Sequence, residues 1–468
     1  MDIEDICEIF FNLEEKYNLN YQKIQGCYPW QLVRVYLYYE ITRRLGIFGS
    51  PQQKSLTSLD KIMSSIPFLK NSIKSNPLAG RYTKDFLIFD HPRKVLIDGE
   101  YKDIYSSFLV DYLYDSSFEV LEAPYFNQHF TKEKEYIKYT DRIQLGSYIH
   151  KKLHKITFTK KEENLILTVK KELENQFNIK IDLENIFKNH ILNFQYDYKL
   201  YTKLFKKRKP KKIFVVVAYE NKAIVKAAKD LNIEVVELQH GTITDYHLGY
   251  SYPLKTRMNS DIAYFPDKIL TFGDYWLSSK SSPILRENII PIGFSYFESQ
   301  SKDFINFKAN DNQILFISQG VIGKDLSKLA YEFARKMPDY RVIYKLHPGE
   351  YETWRVNYPE LVNDLYNFIV IDDSKTPLYE LFAKSKYQVG AFSTAIYEGL
   401  MFDCITFIVN MGGIEYLSDL IDEGYVMKIN NITQLIDNLE TFEPKEYDKD
   451  LFFKKLDKDL LKSVIENG

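Results

Sequence analysis

Trp30, Val33, Tyr36, Leu37 and Ile41 recur at intervals of three and four, and Leu32 broadens the stripe. That spacing places them on one side of an α-helix. Residues 1–80 are therefore expected to form a helical segment that either packs on the domain behind it or presents a face to an acceptor or a membrane.

From about residue 85 the pattern changes to short apolar runs separated by polar, helix-like stretches: Phe86–Phe89, Phe118–Leu121, Ile213–Val217, Glu234–Leu238 and Lys268–Phe272. Strands covered on both faces by crossover helices appear this way in sequence. Asn221–Asn232, with Ala223, Ile224, Ala227, Ala228 and Leu231 on one side, completes a strand, helix, strand unit. A second set follows at Ile314–Ile317, Arg341–Tyr344, Phe368–Ile371, Tyr387–Ala391 and Ile405–Val409, with Leu326, Leu329, Ala330, Phe333, Ala334 and Met337 marking the first helix between them. Two α/β halves emerge, 81–300 and 301–468, with the polar stretch Glu298–Asn312 as their linker.

A length of 468 residues suits two domains better than one core. The 37 Tyr and 32 Phe leave little room for a long disordered segment. A net charge of −2 supplies no global basic face, which excludes nucleic acid as the expected partner. Cys7, Cys27 and Cys404 are scattered and odd in number, so neither a disulfide framework nor a zinc site is indicated. No apolar run reaches the length of a membrane span, and Met1–Phe11 carries acids where a signal peptide needs bases. The expected location is the cytoplasm, at most peripheral to the inner face of the membrane. One strong charge run, Lys206 to Lys212, reads either as a solvated loop or as a contact with anionic lipid headgroups.

In open α/β sheets ligands bind beyond the carboxyl ends of the strands. After Tyr344 come Lys345-Leu346-His347-Pro348, where the His can donate to a phosphate oxygen while the proline fixes the chain's turn. After Gly390 come Ser393 and Thr394, whose hydroxyls can cap a short helix or face an anion, with Glu398 one turn on and suitably placed for the two hydroxyls of a ribose. In the first half, Gln239-His240-Gly241-Thr242 ends a strand: His240 is a candidate general base, and Gly241 allows a sharp turn or close approach. Asp90-His91-Pro92-Arg93 and Asp98-Gly99 offer acceptor-side carboxylates, or for Asp98 a plain turn acid.

This combination resembles bacterial GT-B glycosyltransferases of capsule and lipopolysaccharide assembly: capsular Kdo transferases, bacterial sialyltransferases with His-Pro and Ser/Thr motifs, and the CDP-glycerol glycerophosphotransferases of teichoic acid synthesis. The last group has a comparable His-Gly-Thr, matched at His240, Gly241 and Thr242, but usually Trp where this chain has Gln239 and Pro where it has Ile243. The resemblance covers residues 213–409. It implies a GT-B fold of two Rossmann-like domains facing a cleft. The second half would hold a nucleotide-sugar, CMP-linked by preference and UDP-linked as the alternative, through Lys345, His347, Pro348, Ser393, Thr394 and Glu398. The first half would hold a glycan or lipid-linked glycan acceptor beside Gln239, Gly241 and Thr242, with His240 or Asp98 as the base. No cofactor or metal is expected, because no Asp-x-Asp stands at a strand end to hold a divalent ion. A CDP-glycerol or CDP-ribitol polymer phosphotransferase, a nucleotide-sugar epimerase and a non-catalytic scaffold subunit remain open alternatives.

Overall fold

The computed structural model describes residues 1–48, 58–92, 94–113, 116–125, 128–131, 134–259, 262–277 and 281–466. Arg93, singled out above with Asp90, lies outside them. The first half contains β1 (Phe86–Phe89), β2 (Val95–Ile97), β3 (Glu100–Lys102), β4 (Phe118–Glu122), β5 (Ile137–Tyr139), β6 (Lys212–Val216), β7 (Glu234–Leu238), β8 (Lys268–Thr271) and β9 (Ile289–Pro291). The second contains β10 (Asn310–Ile317), β11 (Arg341–Lys345), β12 (Phe368–Ile371), β13 (Ser385–Gly390), β14 (Ile405–Val409) and β15 (Met427–Ile429). Every expected apolar run is a strand, and only β10 begins well before its run, in the polar residues ahead of Ile314. Residues such as Leu87, Ile213, Val235, Leu315, Val342 and Phe407 are fully buried, as strands covered on both faces require.

The β2–β3 pair is an antiparallel hairpin. The other strands form two parallel sheets, ordered β5-β4-β1-β6-β7-β8-β9 and β12-β11-β10-β13-β14-β15. The second sheet counts third, second, first, fourth, fifth, sixth along its width, the order of a Rossmann domain, and the first sheet, with the hairpin set aside, follows the same order and adds one strand at its far edge. The two-domain Rossmann architecture expected of a GT-B chain is thus the one adopted. The order reverses between β1 and β6 and again between β10 and β13. Beyond the carboxyl ends of those pairs lie the crevices where such sheets bind ligands.

Helices α1 (Ile3–Lys16), α2 (Pro29–Arg44) and α3 (Ser58–Lys74) open the chain. Between β3 and β6 come α4 (Leu109–Tyr112), α5 (Asp141–Leu153), α6 (Lys160–Phe177) and α7 (Leu183–Arg208), and α8 (Lys222–Lys229) follows β6. Helices α1 and α2 share one apolar core with α6 and α7, in which Phe10, Trp30 and Leu37 meet Leu173, Leu183 and Ile191. A buried ion pair locks this core to the loop after β7. Arg34 bonds Glu14 (2.7 Å) and the carbonyl of Ser251 (3.1 Å), while Trp30 and Asn20 complete the shell of the Glu14 carboxylate.

The stretch expected as a linker is partly regular, because the helix Ser295–Ser301 overlaps its start and β10 begins at Asn310. The last helix, Lys458–Glu466, returns to the first sheet, where Leu461 and Val464 pack with Ile88 and Phe214. On its way there the chain exchanges backbone hydrogen bonds with the ends of β8 and β9, Lys454 donating to Phe272 and Phe294 to Lys454. Gly273 and Gly293 permit this approach: a Cβ at either would meet the backbone of Leu451 or Lys455 within 2.5 Å. One apolar cluster runs from Phe272 and Trp276 in the first half to Leu315 and Tyr397 in the second, so the two halves are packed together.

Of the charge run, only part is a solvated face. Arg208 is fully buried on Glu119 (2.8 Å), and Lys212 is buried beside Glu234 (2.9 Å). These two members of the run are thus structural, whereas Lys206 and Lys209 are exposed. No helix among the described residues is long and apolar enough to cross a membrane.

Candidate active site

At the first crevice the chain leaves β6 through Val217, whose φ of +60° is strained for a β-branched residue. The next N–H, of Ala218, donates to Glu237 (3.0 Å), and Tyr219 is brought over the end of β7. There Gln239 is fully engaged, donating to the Gly241 carbonyl (2.8 Å) and accepting from the Phe272 N–H (2.8 Å). It acts as a clamp that fixes the turn carrying His240, and its amide is not presented to an acceptor. The chain bends at Gly241, as expected, without a left-handed φ. The space where its Cβ would stand is open, which leaves the close-approach role intact.

The His240 ring lies 6.2 Å from Tyr105 and 6.3 Å from His91, centre to centre, and its Nε2 is 3.4 Å from the Tyr219 hydroxyl. Its Nδ1 is buried with no hydrogen-bond partner among the described residues. Burial, reinforced by His247 and His91, pushes its pKa down to about 3, so the ring is neutral at pH 7. Asp103, itself buried, sets this arrangement by accepting from the N–H groups of both His91 (3.0 Å) and Tyr105 (2.9 Å). Behind the site, Tyr250 donates to Glu237 (2.8 Å), whose carboxyl is pushed up to about 7 by burial. His247 is pushed down to about 4 for the same reason and has the Tyr39 hydroxyl of α2 at 3.4 Å.

Of the two aspartates considered as base, Asp98 is exposed at the tip of the β2–β3 hairpin. Positive φ at Asp98 (+50°) and Gly99 (+76°) makes that tip a type I′ turn. It is a turn acid and is not among the groups packed around His240. Asp90 does stand at the end of β1, bonded to Lys94, with its carboxyl raised above the usual range by burial.

In the second crevice, His347 is exposed and its Nδ1 accepts from the Gly349 N–H (3.1 Å), which leaves Nε2 as the protonated, donating nitrogen. Pro348 opens the short turn that follows. The buried Glu350 carboxylate ties this turn to the end of β10, accepting from the His347 N–H (2.7 Å) and the Ser318 hydroxyl (2.9 Å). Lys345 departs from expectation. Its ammonium spends its three donors on the Leu346 carbonyl (3.0 Å), the Tyr351 hydroxyl (2.5 Å) and the Asp373 carbonyl (3.0 Å), and has none left for a phosphate in this arrangement. Ser393 caps the helix Thr394–Leu400, and Thr394 is half-buried beside it. Glu398 accepts from the Tyr379 hydroxyl (3.3 Å), and burial pushes its carboxyl up to about 7.

A row of rings joins the two crevices. Tyr105 stacks on Phe294 (6.2 Å), Phe294 meets Tyr296 (5.9 Å), and Tyr296 meets Tyr379 (6.4 Å), which holds Glu398. His240 and Glu398 are thus linked across the two halves by a continuous row of ring contacts. His91 stood in the motif singled out in sequence without a role of its own, whereas Tyr105, Asp103 and Tyr219 were not expected at the site, nor was the turn Ser318-Gln319-Gly320, where Gln319 reaches the Phe392 carbonyl (3.3 Å). That turn had a readable signal, a glycine between the first strand and first helix of a Rossmann half. The aromatic residues had none. Among the described residues no group of three or more His, Cys, Asp or Glu could hold a metal ion.

No family model matches the chain, and no curated protein matches it in sequence. Solved structures do resemble it. The UDP-GlcNAc 2-epimerase from Methanocaldococcus jannaschii aligns with a TM-score of 0.49 at 11% identity over 81% of this chain and 98% of its own. The UDP-GlcNAc 2-epimerase from Neisseria meningitidis, bound to UDP-GlcNAc, gives 0.45 at 14% over 82% and 99%. The wall teichoic acid polymerase TagF gives 0.37 at 10% over 83% of this chain and 90% of its own.

Proposed function

We propose that the chain is a glycosyltransferase that moves a sugar from a nucleotide-activated donor, a CMP-sugar by preference, to a hydroxyl of a bacterial surface glycan or lipid-linked glycan. One observation carries the reading: His240 and Glu398, close behind strands of opposite Rossmann halves, are linked by the contact row Tyr105, Phe294, Tyr296 and Tyr379. Glu398 would take the ribose hydroxyls, while His347 Nε2 and the hydroxyls of Ser393 and Thr394 would meet the phosphate that leaves. Each such donor, aimed at developing charge, contributes about 3 kcal/mol. Lys345 would serve by bracing the His347 turn through Tyr351 and Asp373.

His240 would take the proton from the attacking hydroxyl. An imidazole held near pKa 3 is a weak base, but the negative phosphates of a bound donor raise the proton affinity of a neighbouring imidazole. Its Nδ1, without a partner among the described residues, would be the acceptor once binding of the substrate uncovers it. No metal enters the mechanism.

The test is a thermal-shift panel of CMP, CDP, UDP and GDP, with and without EDTA. A ligand at 100 times its Kd adds about 2.7 kcal/mol to native stability, so a cytidine nucleotide is expected to give the largest shift and EDTA to leave it unchanged. No shift with any of the four would overturn the nucleotide site. Conversion of a UDP-sugar in the absence of any acceptor would replace transfer by epimerisation.

A further inference from the structure

At the other end of the first sheet lies an open cleft of about 810 Å³, walled by the last three turns of α7 and the strap that leads from α3 into β1. Arg81, Lys199, Lys203, Lys206, Lys207 and Lys209 line it, together with Tyr82 and Tyr198, and no carboxylate does. Lys199, Lys203 and Lys206 are spaced i, i+4 and i+7, so one face of α7 carries them all. Among the described residues none of the three has an ion-pair partner, whereas Arg208, Lys211 and Lys212 nearby are paired with Glu119, Asp85 and Glu234. Lys207 is held against the Leu78 carbonyl, and burial together with Lys203, Arg208 and Arg81 lowers its pKa. Like charges are thus crowded along a wall to which the described residues contribute no carboxylate.

Position excludes this cleft from the transfer site. Arg81 precedes β1 and Lys209 precedes β6, so the cleft opens at the amino ends of those strands, whereas His240 follows the carboxyl end of β7. Beside it, α5 packs on the same α7 through His150 and Tyr196 (5.1 Å between rings), and α3 packs on α5. These two helices expose apolar side chains: Leu153 (74%), Tyr148 and Ile149 on α5, and Ile73 (78%), Leu69 and Ile66 on α3. Lys152 and Lys155 stand exposed at the end of α5. Apolar side chains flanked by unpaired bases suit a layer whose surface is anionic and whose interior is hydrocarbon.

We propose that this flank of the first domain binds an anionic phospholipid leaflet, the cleft taking headgroup phosphates and the exposed side chains of α3 and α5 entering the interface. The site is independent of the transfer chemistry and stands or falls without it.

Full-length protein is sedimented with phosphatidylcholine vesicles with and without phosphatidylglycerol, and pyrophosphate binding is measured separately by calorimetry. Binding is expected only to the vesicles containing phosphatidylglycerol. At low salt the exposed-site double change Lys203→Gln/Lys206→Gln should weaken it about 30-fold, the effect of taking two bases away from an anionic surface. Ile149→Ser/Leu153→Ser should remove the part of the binding that survives high salt. Equal binding to both vesicle types, no binding to either, or wild-type affinity in the lysine variant with an unchanged melting curve would each overturn the proposal. Tight pyrophosphate binding lost in the lysine variant, with no vesicle binding, would make the cleft a site for a soluble phosphate ligand instead.

Discussion

Replacing His240 by Ala separates a buried neutral histidine that takes part in chemistry from one that merely fills space. In the native chain the ring titrates near 3, against 6.5 when it is exposed. A histidine pKa depressed by folding contributes stability that is complete above the unfolded value and is lost as pH falls toward the folded one. Between pH 8 and pH 5 the unfolded imidazole takes a proton that the native ring refuses. One and a half pH units at about 1.4 kcal/mol each makes the loss about 2 kcal/mol. Urea unfolding of wild type and His240→Ala at the two pH values isolates this quantity, because Glu237, His247 and the other shifted groups titrate in both proteins. Wild type is expected to lose about 2 kcal/mol more than the variant. In the same preparations, turnover at saturating donor and acceptor should fall by about 100-fold or more in the variant, with nucleotide affinity little changed. Identical pH dependence would refute the burial of the ring. A folded, nucleotide-binding variant with near-normal turnover would refute its role as base and shift the search to Asp90.

Two further outcomes follow from the geometry. Arg34→Met leaves the Glu14 carboxylate buried without its cation, so a loss of about 3–5 kcal/mol is expected in equilibrium unfolding; a loss below about 1 kcal/mol would mean that the pair does not anchor α2 to the loop after β7. If Glu398 binds ribose as a carboxylate with a pKa of about 7, nucleotide affinity should rise between pH 6 and pH 8. Glu398→Gln should abolish that rise and weaken binding about tenfold at pH 8, and a pH dependence that persists in the variant would assign it to another group.

Much of the architecture is written in the chain because burial on both faces imposes a local signal. A strand such as Ile314–Ile317 or Ile405–Val409 must be apolar at consecutive positions, whatever its neighbours are. The five strands without such a run have three residues each: β5, β9 and β15 stand at sheet edges, and β2 and β3 form the separate hairpin, so too few of their positions are buried to make one. The positions of His240, His347 and Ser393 just after strands, and of Glu398 one turn into the helix that Ser393 caps, were likewise legible. What these residues do there was not. Lys345 was expected at a phosphate, yet its donors are consumed by Tyr351 and Asp373, partners 6 and 28 residues away. Asp98 before Gly99 was readable as a turn acid, and the hairpin bears that out, whereas the burial of Asp90 beside Lys94 was not readable from its neighbours in sequence. The chain by itself determined the two parallel sheets and the strand ends that flank the crevices, because hydrophobic patterning acts within a few residues. Only the tertiary structure decided which side chains meet across them. Solvation, pairing and pKa depend on neighbours brought from distant segments, such as the Tyr105 and His91 rings against His240, or the unpaired lysines of α7 beside Arg81.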